Sequence, residues 1–243
     1  MSRLAPLGVT LVLWEGLARL LAQPAFPPFS AVLSALVTLV AEGRIFGDLI
    51  SSISALALGF GLAMAVGVTV GALMGAFPQV EEVLGPYLNA GLAAPALIYV
   101  PILFTLAGTS RWTQVFTVFL YSVFSIASYT VAGMHGTSRT VTEMARAFGA
   151  TRRQTLLLVV WPGARPMLMS GLRIAMAMAV KGMINGEMLI ASTGLGALVR
   201  VYGSRFEIDK VLAILLVIAI VALSSTSGLR LVERRALGDA LQP

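Results

Sequence analysis

The sequence predicts an all-α, polytopic membrane protein, with residues 1–243 forming a single transmembrane domain of six spanning helices. Three observations support this fold class. The chain is 58% hydrophobic and 12% charged, with a mean hydropathy of +0.90, whereas a water-soluble domain needs a far more polar surface. Six apolar segments are each long enough to cross the hydrocarbon core as a helix. Basic residues lie mainly in the short connections between these segments.

The first two spans are predicted over residues 4–22 and 49–77. Within the first, Glu15 and Arg19 are four residues apart and can pair along one helix face. The apolar stretch over residues 30–43 is too short to cross, and we expect it to lie in the interface or pack on the bundle. In the second span, small residues recur at every fourth position, which predicts a closely packed neighbouring helix. These residues are Ser51, Ala55, Gly59, Ala63, Gly67, Gly71 and Gly75.

The third span is predicted over residues 87–107, after a short polar turn at residues 78–85. It contains Pro95 and Pro101, which each remove a backbone hydrogen bond and should bend or break the helix. Broken membrane helices tend to line cavities, because the freed carbonyls need a partner. Both prolines are therefore candidates for lining a solute path, and a simple kink is the alternative.

The remaining spans are predicted over residues 113–133, 167–191 and 210–229. An even number of spans puts both termini on one side of the membrane. That side, with the stretch between the fourth and fifth spans, carries ten arginines, and the opposite side carries six basic residues. Because basic residues favour the inner side of a membrane, both termini are expected in the cytoplasm.

The stretch over residues 140–162, TVTEMARAFGATRRQTLLLVVWP, is the most polar part of the chain between two spans. Thr140 and Glu143 have the spacing of a capping box, which predicts the start of a short helix. Gly149 follows its expected end, where a left-handed residue can close a helix. Thr151 and Gln154 repeat the capping spacing and predict a second short helix.

Trp161–Pro162 is expected to end that second helix, since proline cannot donate a backbone hydrogen bond. Three arginines make the stretch basic. Taken alone, the pattern also fits an ordinary cytosolic hairpin, because capping boxes and glycine hinges are common.

This stretch resembles the EAA loop of permease subunits in ATP-binding-cassette (ABC) importers, whose pattern is Glu-Ala-Ala, a later Gly, and then an apolar residue and Pro. The matching residues are Glu143, Met144 in place of the first Ala, Ala145, Gly149, Val160 and Pro162. In that family the loop is a coupling helix that docks into a cleft of the ATPase subunit. The resemblance implies this ATPase-docking role for a set of residues within the stretch. They are Thr140, Glu143, Ala145, Arg146, Gly149, Arg152, Arg153 and Pro162.

From about Trp14 to Arg235 the chain is similar to type I importer permeases of the nitrate, taurine and alkanesulfonate group. Glu187-Met188 followed by Gly194-Leu195-Gly196 also looks like that family. The resemblance implies a bacterial inner-membrane protein that pairs with a second copy of itself. It also implies two ATPase subunits that bind ATP and Mg, and an extracytoplasmic solute-binding protein.

The fifth predicted span contains Lys181, Asn185 and Glu187, although ionisable groups are rare in membranes and usually face protein or a water-filled path. Lys181 and Asn185 share a helix face, and Glu187 points away from it, but all three are candidate residues of the solute path. Our hypothesis is that this face offers a cation and an amide to a small anion. A structural pair such as Lys181 with Glu15 is the alternative. The family resemblance leads us to expect an aromatic residue at position 181, so the lysine leaves the solute undetermined among sulfonates, nitrate, bicarbonate, aromatic carboxylates and neutral pyrimidines.

The composition argues against several other classes. The chain has no cysteine and one histidine, which excludes disulfides, cysteine-based metal sites and catalytic relays of several histidines. No phosphate-binding G-x-x-x-x-G-K-[ST] motif occurs, so we expect no ATP hydrolysis and no cofactor in this chain. The net charge of +6 is spread over connections, which argues against nucleic acid as a partner. A secondary transporter or a channel working without an ATPase stays the alternative.

Overall fold

The structure, a computed structural model, describes residues 5–190 and 192–237, and every regular element in these ranges is helical. Eleven α-helices occur in the described ranges. They are α1 (Ala5–Leu21), α2 (Phe29–Ala41), α3 (Arg44–Ala76), α4 (Pro78–Ala93), α5 (Tyr99–Ala107), α6 (Arg111–His135), α7 (Arg139–Ala147), α8 (Arg152–Thr155), α9 (Trp161–Leu189), α10 (Leu195–Ser204) and α11 (Ile208–Leu237).

Four of the described helical stretches are long and apolar enough to cross a membrane: Arg44–Ala76, Arg111–His135, Arg152–Leu189 and Ile208–Leu231. A fifth span is possible if α4 and the helical stretch Ala96–Ala107, which are bent by 91°, count as one. Helix α1 has 17 residues, so its length is about 25 Å at 1.5 Å per residue. The all-helical membrane fold is confirmed. The ends of the individual spans stay predictions, and those at residues 4 and 191 lie outside the described residues.

The chain divides into two compact units, which we describe separately. The first comprises the residues up to Ser54 and Glu187–Val221. Within it, the Trp14 Nε1–H donates to the Pro27 carbonyl at 3.1 Å. The predicted Glu15–Arg19 pair is present, with a shortest N···O distance of 2.6 Å. The Glu15 carboxylate also accepts from the backbone N–H and the hydroxyl of Ser30, so it satisfies a donor in the first turn of α2.

The second unit comprises Ala55–Gly186 and the residues from Ala222 onward, and a close contact between α3 and α6 lies at its centre. A Cβ added to Gly59 or Gly71 would lie 2.6 Å from an α6 carbonyl, that of Val115 or Ala127. Ala63, on the same face, is 0% exposed. The close packing predicted from the small residues is therefore confirmed, and the neighbour is α6.

The third predicted span differs from expectation at its start. Residues 78–85, predicted as a turn, are the first half of α4, because Pro78 lies at the first helical position, where no N–H is needed. Pro95 breaks the helix as predicted. The chain stays helical through Pro101, in the first turn of α5, so the helix is not broken there. Amides in a first turn have no partner within the helix, so a proline is tolerated there.

We predict that Gly71→Ala destabilises the protein by about 1–3 kcal/mol, because overpacking forces the helices apart. Gly61 lies on the same helix with nothing within 4 Å of an added Cβ, so Gly61→Ala is the matched control. The control should leave the Tm unchanged or slightly raised, since alanine is the better helix former. Thermal unfolding of the purified protein in detergent measures both, and equal Tm values for the two variants would contradict the packing interpretation.

Candidate functional site

The stretch predicted to couple to an ATPase forms two helical segments joined at Gly149. This residue has φ +83°, a left-handed conformation that glycine adopts without the steric penalty of a side chain. Its N–H donates to the Arg146 carbonyl at 2.9 Å, and the Ala150 N–H donates to the Ala145 carbonyl at 3.0 Å. The predicted glycine hinge is therefore confirmed as the closure of α7.

The two predicted capping boxes have different outcomes. The one at the start of α8 is confirmed: the Thr151 N–H donates to Gln154 Oε1 at 2.8 Å, and the Gln154 N–H donates to Thr151 Oγ1 at 3.3 Å. The box of Thr140 and Glu143 is wrong. Helix α7 begins at Arg139, without a side-chain cap, and Glu143 pairs with the Arg139 guanidinium at 2.7 Å. A charged pair at four-residue spacing competes with the neutral cap for the carboxylate.

The predicted end of the second helix at Trp161–Pro162 is also wrong. Helix α8 continues through a π-helical turn, Leu156–Val160, into α9, so that Arg152–Leu189 is one helical stretch. A π-turn shifts the hydrogen-bond ladder by one residue and accommodates the missing N–H of Pro162. The Thr137 hydroxyl donates to the Val160 carbonyl at 3.3 Å. The hinge is thus connected without interruption to a spanning helix.

Helix α7 presents an apolar face to the outside. Val141 and Met144 of α7, and Phe148 at its C-terminal cap, lie on one side and are 48%, 53% and 85% exposed. Ala145 lies beside them and is half-buried. Exposed apolar helix faces of this kind are typical of surfaces that enter a groove of a partner. Sequence reasoning missed Val141 and Phe148, although their i, i+3, i+7 spacing with Met144 was visible.

The three arginines of the stretch do not lie on this face. Arg146, Arg152 and Arg153 instead line a cavity of about 490 Å³ beside the end of α3. Arg152 donates to the Ala76 carbonyl at 3.3 Å, and its guanidinium lies 5.6 Å from the centre of the Phe77 ring.

The predicted break at Pro95 leaves a carbonyl without its helical donor. That carbonyl belongs to Gly91, four residues earlier, and it accepts a hydrogen bond from the Tyr99 hydroxyl at 3.2 Å. Since a side chain satisfies it, the break needs neither water nor solute at this position. The path-lining role of Pro95 and Pro101 stays a prediction.

In α9, the Lys181 side chain is exposed, and no hydrogen bond or ion pair joins it to another described residue. Asn185 is half-buried, and its Nδ2 donates to the Tyr121 hydroxyl at 3.1 Å. The alternative pairing of Lys181 with Glu15 stays a hypothesis.

Glu187 is 0% exposed, which corrects its assignment to a solvent-lined path. Its Oε2 accepts from the Gly196 N–H at 2.8 Å, at the start of α10. The two preceding amides, of Gly194 and Leu195, donate to Asp48 Oδ1 at 2.6 Å and to the Ser52 hydroxyl at 2.9 Å. Three side chains therefore cap one helix, and Glu187 is part of that cap.

The described residues contain no group of three or more His, Cys, Asp or Glu side chains placed to hold a metal ion.

Comparison with known proteins provides the context for these features. Residues 59–238 match the family described as binding-protein-dependent transport system inner membrane component. The chain belongs to this family. It is the permease subunit of a type I ABC importer, and this family is not itself an ATPase.

The relatives and solved structures agree with this assignment. The permease is 31% identical over 236 residues to the taurine transport system permease protein of Escherichia coli (strain K12), covering 94% of this chain and 86% of that one. It is 28% identical over 223 residues to the formylaminopyrimidine transport permease protein of Halalkalibacterium halodurans, covering 92% and 89%. A crystal structure of an amino acid ABC transporter matches with a TM-score of 0.68 at 18% identity, covering 82% of this chain and 98% of the other. The inward-facing MetNI methionine ABC transporter matches with a TM-score of 0.67 at 18% identity, covering 76% and 93%. These structures show the fold alone.

We predict that Gly194→Ala weakens the cap of α10. Gly194 has φ +109°, and an added Cβ would lie 2.4 Å from the Glu187 carboxyl carbon, so strain of about 1–3 kcal/mol is expected. Gly203, near the end of the same helix, has nothing within 4 Å and provides the control Gly203→Ala. Hydrogen exchange of the amides at residues 194–196 should accelerate at least tenfold in Gly194→Ala only. Unchanged protection would contradict the role assigned to Glu187.

Proposed function

We propose that this permease forms, with a second copy of itself, the path for a small anionic solute in an ATP-driven importer. Two ATPase subunits on the cytoplasmic side would bind ATP and Mg, and a soluble binding protein would deliver the solute outside. Both termini would lie in the cytoplasm. The observation that carries the proposal is the exposed apolar face of α7, joined at Gly149 to a helix that continues into a membrane span.

The docking step rests on the apolar face of α7. Val141, Met144 and Phe148 would enter a cleft on the ATPase subunit, as an amphipathic helix enters a groove. Phe148, with 85% of its surface exposed, is the largest apolar anchor on this face. Thr140, Glu143 and Ala145 would surround the anchor.

The transmission step rests on the continuity of Arg152–Leu189. At 1.5 Å per residue this helical stretch is about 57 Å long, which exceeds the thickness of a membrane. A displacement of the docked segments α7 and α8 would therefore move α9 directly, because the helix continues without interruption through Pro162. Gly149 is the one residue between the two segments with a positive φ.

The solute step rests on the exposed face of α9. Ile174, Met178 and Lys181 lie along it, and the two apolar residues are 40% and 38% exposed. A second copy facing this surface would cover the apolar residues and enclose the lysine. Lys181 and Asn185 would then offer a cation and an amide to a sulfonate, nitrate, bicarbonate or aromatic carboxylate. The relatives named for taurine and aliphatic sulfonates fit this chemistry.

We predict that Phe148→Asp prevents assembly with the ATPase subunits. Loss of a central aromatic anchor weakens interfaces by about 2 kcal/mol or more, which corresponds to roughly 30-fold in affinity. Arg139→Gln is the control, because its side chain is 92% exposed and lies off the apolar face. Co-purification of the ATPase subunits with each folded permease variant measures the effect. Uptake that persists in vesicles without any ATPase subunit would refute the importer mechanism and favour a secondary transporter or channel.

We predict that Lys181→Met raises the KM for the anionic solute at least tenfold, whereas Lys181→Arg changes it only a few-fold, because the cation is retained. The solute is identified first, as the ligand of the partner binding protein. ATP-dependent uptake into proteoliposomes containing that binding protein then measures both variants. Unchanged affinity and preference in Lys181→Met would exclude the lysine from the path.

A further inference from the structure

A basic cavity lies behind the docking face of α7. We call it the basic pocket; it has a volume of about 490 Å³ and contains Arg146, Arg152 and Arg153 in its wall. No acidic side chain lines it within the described residues. Arg152 is held in place by the Ala76 carbonyl and the Phe77 ring. The pocket therefore has a fixed wall and an uncompensated positive charge.

The other two arginines are available for a ligand. No hydrogen bond or ion pair joins Arg146 or Arg153 to any other described residue, and both are exposed. Paired guanidinium groups bind phosphate oxygens through directed, charge-assisted hydrogen bonds. The chemistry of the pocket thus points to an anion, and phosphate is a group that guanidinium side chains bind well.

An apolar groove adjoins the basic pocket. It has a volume of about 280 Å³ and is lined by Ala72, Met134, Leu156, Leu157 and Trp161. Met134 and Leu156 belong to both walls, so the two spaces are adjacent. Ala72 lies one helical turn before Ala76 in α3, so the groove extends along α3 away from the arginines. The combined site is charged at one end and apolar at the other.

We propose that the basic pocket and the apolar groove together bind one anionic phospholipid of the inner leaflet. Its phosphate would contact Arg146 and Arg153, and an acyl chain would lie in the groove. A soluble anion or an acidic peptide would use the charge and leave the groove empty, whereas a phospholipid matches both ends. Basic pockets beside spanning helices on the cytoplasmic side are suited to anionic headgroups. This lipid site rests on the proposed function, which places residues 140–162 on the cytoplasmic side.

The position of this site gives the lipid a mechanical role. The site lies among the end of α3, the hinge-proximal arginines and the π-helical turn that leads into α9. A bound phospholipid would therefore stabilise the junction between the segments α7 and α8 and the spanning helices α3 and α9. Transport coupled to ATP hydrolysis should then require an anionic lipid.

Native mass spectrometry of the assembled permease–ATPase complex tests the proposal. The complex is taken from nanodiscs of phosphatidylcholine with phosphatidylglycerol, and the lipid retained per permease is counted. Wild type should retain one phosphatidylglycerol in preference to phosphatidylcholine. Arg146→Gln/Arg153→Gln should lower this retention at least tenfold, since each arginine near the surface contributes roughly fivefold.

Two groove variants separate the apolar end from the charges. Ala72→Leu fills the groove and Leu157→Ser makes it polar, and either should release the lipid with all arginines intact. Arg165→Gln is the matched control, because Arg165 is an exposed arginine of α9 that lines neither space, and it should behave as wild type.

Equal retention of both lipids by wild type would overturn the proposal, and so would wild-type retention in the charge variant or in both groove variants. Displacement of the lipid by inorganic phosphate would also overturn it in favour of a soluble anion. The same spectra report how many ATPase subunits each permease retains. Lipid retention without ATPase subunits would count against the docking step alone, so the two proposals fail separately.

Discussion

Three departures from regular helix among the described residues of this permease meet the same requirement: a polar backbone group in an apolar environment needs a partner. At Pro95 the freed Gly91 carbonyl takes the Tyr99 hydroxyl. At the π-turn the Val160 carbonyl takes the Thr137 hydroxyl. At the start of α10 three consecutive amides take acceptors from Asp48, Ser52 and Glu187. Side chains thus satisfy the backbone at each of these three places.

This requirement also clarifies what the ionisable residues of α9 do. Glu187 is buried because it caps another helix, whereas Lys181, six residues earlier, is exposed and has no partner in the described chain. Two charged residues within two turns of one helix therefore have different roles. The buried carboxyl group of Glu187 stabilises the start of α10, and the exposed ammonium group of Lys181 is the one that we propose to meet a solute.

Residues 140–162 show how much of a local structure the spacing of residues can predict. Thr140/Glu143 and Thr151/Gln154 have the same spacing, yet only the second pair forms a capping box. The difference is Arg139, four residues before Glu143, because a guanidinium outcompetes a neutral amide for the carboxylate. Pro162 was expected to end a helix, and the π-turn before it allows the helix to continue. The spacing identifies candidate capping boxes and helix ends, and the hydrogen-bond partners that compete for each group decide which of them forms.

The sequence by itself determined the class of the protein, the α3 face that packs closely, and the hinge at Gly149. Each depends on composition, on a four-residue period or on one residue's backbone freedom, which are local properties. Only the tertiary structure decided the burial of Glu187, the partner of the Gly91 carbonyl and the convergence of the arginines with an apolar groove. The Asp48–Gly194 hydrogen bond joins residues 146 positions apart, and no local pattern encodes such a pairing.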